Sequence, residues 1–94
     1  MSEMSLREQI TRLEEMKSYL KDFCSIMRNT MDELDNDIKF LKGEGLSIET
    51  EESYRKRYYN PANENVQEVI NDVYGKHFDY INDIVEELKR AEQQ

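Results

Sequence analysis

Residues 41–50 read LKGEGLSIET and hold two of the chain's three glycines, close to the midpoint of 94 residues. Ahead of them, Leu6, Ile10, Leu13, Leu20, Cys24, Met27, Met31, Leu34, Ile38 and Leu41 follow alternating steps of four and three, with Lys17 the single polar member of the series. Neither proline nor glycine interrupts that stretch, so the heptad spacing predicts one helix over 5–42, about 60 Å long at the helical rise. Gly43 and Gly45 then supply the turn, because a glycine just past the last periodic residue can take the left-handed conformation that closes a helix end. Ser47 or Thr50 can cap the next helix, with Glu51 and Glu52 well placed in its first turn.

After the turn over 43–49, EESYRKRYYN predicts a short helix over 50–59, and Asn60-Pro61 predicts a kink or a fresh start. Val66, Val69, Ile70, Val73, His77, Ile81, Ile84, Leu88 and Ala91 mark one face of a second long helix over 61–91. Two arms of similar length around one turn make an all-α, antiparallel two-helix hairpin, read as a single domain over 1–94 with a kink or break near Pro61. Gly75 lies inside the second arm, either where another helix approaches closely or on an exposed turn that tolerates it.

Thirteen basic against 21 acidic residues give a net charge of −8, which disfavours nucleic acid and anionic membrane as partners. No segment approaches the 18 or so apolar residues of a membrane span, and the charged N-terminus lacks the apolar core of a signal peptide. A cytoplasmic protein is expected, and export with a partner by a route without a cleaved signal stays open. Cys24 is the single cysteine; at a heptad position it reads as a small buried apolar residue rather than a nucleophile.

Candidate chemistry is sparse. GEGLS follows a helix and lacks the spacing of a phosphate-binding loop. Asp32, Asp35 and Asp37 sit close together, but Lys39 and Phe40 fall where a calcium loop needs ligands or its glycine. His77 is the one histidine and reads as a core or interface residue rather than a metal ligand. No catalytic constellation, metal site or cofactor site is found, so a non-enzyme is expected. Tyr54-Arg55-Lys56-Arg57-Tyr58-Tyr59 is the one basic and aromatic cluster; Tyr54 and Tyr58, four apart, are expected to pack on the first helix.

Met16, Tyr19, Phe23 and Ile26 form a second apolar strip beside the heptad series. It can pack against the chain's own second arm or stay exposed as an interface, since a face wider than one seam fits more than one neighbour. With Leu20 and Met27 on the first helix and Phe78 and Ile81 on the second, these residues compose the expected partner-binding surface. A thin core in a chain of this size favours a hetero-oligomer over a monomer.

The N-terminal heptads, the turn GEGLSIETEESY and the ending HFDYINDIVEELKRA together resemble the small WXG-like helical hairpins of type VII secretion. The likeness is nearest to the helical partner proteins of LXG-family toxins. It spans nearly the whole chain and rests on patterns rather than signature residues. No tryptophan is present, so Gly43-Glu44-Gly45 stands only in the position of the W-x-G turn. The family's export pattern, an aromatic residue with an acid four positions on, is unmatched, since Phe78 leads to Asn82 and Tyr80 to Ile84. The resemblance therefore implies a targeting factor or chaperone that binds the helical N-terminal region of an LXG-type toxin, with room for a second small helical protein, rather than a secreted effector. Two other classes fit the composition: an acidic inhibitor that imitates DNA, and a coiled-coil homodimeric scaffold with Lys17 setting register.

Overall fold

A computed structural model describes residues 4–94, which form an all-α helical hairpin. Helix α1 runs Leu6–Gly43, and Ser5 Oγ accepts from the Glu8 amide at its start. The return arm consists of α2 (Ile48–Tyr54), a π-helical turn (Arg55–Tyr59), α3 (Asn60–Asp72), a second π turn (Val73–His77) and α4 (Phe78–Glu92). The chain divides into two compact units: the residues up to Phe23 with Asn71–Gln94, and Cys24–Ile70.

In the first unit the two segments run antiparallel, since Arg7 meets Glu92 at 2.7 Å and Lys17 meets Asn82 Oδ1 at 2.7 Å. Ile10, Ile81 and Val85 are buried together, with Leu13, Leu20 and Leu88 packed against them. The polar member of the heptad series is thus satisfied inside the hairpin: Lys17 donates to Asn82, lies 3.9 Å from Glu14, and holds its ammonium 5.6 Å from the Phe78 ring centre. Lys21 lies 5.9 Å from the same ring, and Tyr74 meets it edge-on at 5.0 Å.

The second unit buries Cys24, Met31 and Ile38 of α1. Burial pushes the Cys24 thiol up, away from the thiolate form. Leu34 and Leu41, expected to be buried, are exposed instead. Charged groups take over where the apolar seam gives out. Arg55 Nη1 reaches Asp35 Oδ1 at 2.8 Å, Lys39 holds the other Asp35 oxygen at 2.9 Å, and the nearly buried Glu51 lies between Lys42 (3.2 Å) and Arg55 (3.5 Å). Arg28 donates to Asn63 and to Gln67.

The two π turns explain where the return arm departs from its sequence reading. Glu51, Arg55, Tyr59 and Asn63 all lie inward to some degree, yet steps of four drift by about 40° each on an α-helix. A π turn takes up one extra residue, with the Asn60 amide donating to the Arg55 carbonyl five positions back, and so returns the face to α1. Interruption of the α-helical bonding near Pro61 takes this form, and the proline follows as the second residue of α3. Arg55 and Tyr59 therefore face inward, Tyr59 donating to the Met31 carbonyl at 3.4 Å. Tyr54 and Tyr58, expected on α1, are exposed and touch each other at 5.8 Å.

The second π turn does the same in the first unit, where the Phe78 amide donates to the Val73 carbonyl. Val73 and Phe78, five apart, are both buried, and His77, expected in the core or at an interface, is exposed and not in the core. Gly75 sits within that turn, and a Cβ there would meet nothing within 4 Å. No helix of this chain crowds it, and it lies exposed.

At the hairpin turn, the glycine in the left-handed conformation is Gly45 (φ 110°), and Gly43 is the last residue of α1. The Leu46 amide donates to the Leu41 carbonyl at 2.9 Å and the Gly45 amide to Lys42 at 3.3 Å, the paired bonds of a Schellman ending. Ser47, rather than Thr50, caps α2, its Oγ accepting from the Thr50 amide at 3.1 Å. Gly45→Ala is accordingly expected to lower stability by about 1–2 kcal/mol, while Gly43→Ala leaves it within about 0.5 kcal/mol or raises it. Equal urea midpoints for the two variants would refute this assignment.

Candidate functional site

The first unit leaves apolar side chains uncovered beside its core. Leu20 and Ile81 pack inward at the seam between α1 and α4, and Met16 and Tyr19 on one side and Tyr80 on the other stand up from it. Together with Lys76 and His77 they line an open groove of about 670 Å³, a volume in the range of known binding pockets. Met16, Tyr19 and Tyr80 are 47%, 65% and 70% exposed. Apolar side chains lifted this far into water next to one another mark a surface that another molecule can cover.

The residues expected to meet a partner divide as follows. Met16, Tyr19, Leu20 and Ile81 come together in the groove, and Phe23 is exposed on the same helix. Ile81 belongs to the buried cluster and forms the floor rather than a free anchor. Phe78 is also buried, held among Lys17, Lys21 and Tyr74. Ile26 and Met27 belong to the second unit, where Ile26 is exposed and Met27 half-buried. Lys76 and Tyr80 were not expected at the groove, and His77, read as a core or interface residue, lies at its edge rather than in the core. The π turn that contains Lys76 and His77 is invisible in the apolar spacing.

In the second unit, Tyr54 and Tyr58 with Glu49, Thr50, Ser53 and Arg57 line a shallower hollow. The basic cluster is weaker than its sequence suggests, because Arg55 is committed to Asp35, Glu51 and the Tyr59 ring. Among the described residues no group of three or more His, Cys, Asp or Glu side chains is placed to hold a metal ion, and no helix is long and apolar enough to cross a membrane. Comparison of the chain with protein-family models, with curated proteins and with solved structures returned no match.

Proposed function

We propose that the chain is a non-enzymatic partner protein whose groove at Met16, Tyr19 and Tyr80 seats an amphipathic helix of a larger protein. The observation that carries this reading is the groove itself: exposed aromatic and thioether side chains over a packed floor, in a hairpin with little interior for catalysis. A third helix laid between two antiparallel ones completes a bundle, and its apolar stripe covers what the hairpin leaves wet. The sequence resemblance supplies the partner: the helical N-terminal region of an LXG-type toxin, which the chain would stabilise and accompany to type VII secretion. The acidic-inhibitor reading has less support, since Asp32 and Asp35 are engaged by Arg28, Lys39 and Arg55.

Tyr and Met in the middle of an interface are where truncation does most damage. Tyr19→Asp, which also places a charge in the groove, is expected to weaken a purified complex with an LXG-type N-terminal region by at least about thirtyfold, or about 2 kcal/mol. Phe40→Asp, at an exposed residue of the second unit, should leave affinity within about twofold. Undiminished binding by Tyr19→Asp, with the helical content of the free chain preserved, would remove the groove from the interface.

A further inference from the structure

The groove is apolar, and the charge on its lining at neutral pH is that of one lysine, Lys76. Lys76 and His77 are the titratable side chains at its edge besides the tyrosines, and no carboxylate contributes to its wall. The chain as a whole carries a net charge of −8, so this edge is a local exception. The second π turn creates it: a plain α-helix through Val73 would bring His77 onto the buried stripe, whereas the extra residue places Phe78 there and turns His77 to the groove. Lys76 has only a loose tie, 3.6 Å to Asp72, with both side chains well exposed, and such an i,i+4 pair holds its lysine weakly.

Resting on the reading of the groove as a helix site, we infer that it selects an amphipathic helix whose apolar stripe is flanked by carboxylates along the edge that meets Lys76 and His77. The apolar contacts supply affinity, and the cationic edge supplies orientation and discrimination against helices with lysine in that place. Attraction between exposed charges at such a rim is modest and salt-dependent.

The test uses the full chain and two synthetic amphipathic helices with identical leucine stripes, one flanked by glutamate and one by lysine, titrated by fluorescence anisotropy. The glutamate helix is expected to bind about threefold to tenfold more tightly in low salt. The preference should vanish in about 1 M salt, where screening acts within about 3 Å. Lys76→Glu, at an exposed position that leaves the fold intact, should reverse the preference, and Tyr19→Asp should abolish binding of both helices. Equal binding of the two helices, lost together in Tyr19→Asp, would overturn the charge selection and leave the groove standing as a helix site. Binding of neither helix, or binding untouched by Tyr19→Asp, would overturn the groove reading and this inference with it.

Discussion

Replacing Arg55 with methionine is expected to destabilise the second unit by about 1–3 kcal/mol at neutral pH, and by much less near pH 2. Methionine keeps most of the apolar stem, so the loss is that of the guanidinium. Its removal takes one partner from Asp35 and one from Glu51, which is almost buried, and ends the contact with the Tyr59 ring at 5.3 Å. Each carboxylate retains a lysine, Lys39 for Asp35 and Lys42 for Glu51. The effect therefore stays below the 3–5 kcal/mol of an orphaned buried charge.

The pH dependence follows from Asp35. Its carboxyl is held below the ordinary carboxylate range, first by the hydrogen bond from Lys39 and then by that from Arg55. A depressed acid contributes stability that is fully present above its unfolded value of about 3.9 and is lost as pH falls through the folded one. Arg55 shifts the opposite way, raised chiefly by its hydrogen bond to Asp35, so it stays charged throughout the accessible range. The difference between wild type and variant should be constant from about pH 5 to 8 and shrink below about pH 4. Hydrogen exchange of the amides in α2 and the first π turn reports on this unit directly. A difference as large at pH 2 as at pH 7 would show that packing, not the ion pair, sets the effect.

Much of α1 could be read from its heptads because no proline or glycine stands in it before its last residue, Gly43, which leaves the chain one regular conformation. Lys17, the exception in that series, is satisfied within the chain by its hydrogen bond to Asn82. The turn was legible in kind but not in detail. Two glycines stand two apart, and only the bond from Leu46 back to Leu41 decides that Gly45 takes the positive φ. The return arm was misread wherever a π turn intervened, since periodicity assumes that every residue advances the helix by the same angle. That one assumption put His77 on the buried stripe in place of Phe78. Val85 was left out for another reason, since inside the regular α4 its neighbour Ile84 fits the same apolar spacing. Tyr54 and Tyr58 face outward because Arg55 and Tyr59 take the inner face. The groove was half visible for the same reason: its α1 wall follows from Met16 and Tyr19, but its Lys76, His77 and Tyr80 wall depends on the second π turn.

If that π turn is a one-residue insertion in an otherwise α-helical arm, deleting Gly75 should be tolerated and deleting Asp83 should not. Removal of Gly75 leaves Val73 and Phe78 four apart, the α-helical spacing for one face, so Ile81, Val85 and Leu88 keep their places against Ile10 and Leu13. The exposed glycine makes no contact a side chain would disturb, and losing it from a helix relieves up to about 1 kcal/mol. Stability should therefore be unchanged or slightly raised. Deleting Asp83 from α4, which contains no π turn, rotates everything after it by about 100°. Val85 and Leu88 then leave the core, and each buried aliphatic side chain is worth about 1.5–3 kcal/mol. A loss of about 3–6 kcal/mol is comparable to the whole stability of a small domain, so the first unit should unfold or exchange its amides freely. Far-UV circular dichroism and urea midpoints of the two deletions, measured side by side, separate the cases. Equal damage from both would mean that the π turn is required by the packing of the first unit and is not a removable insertion.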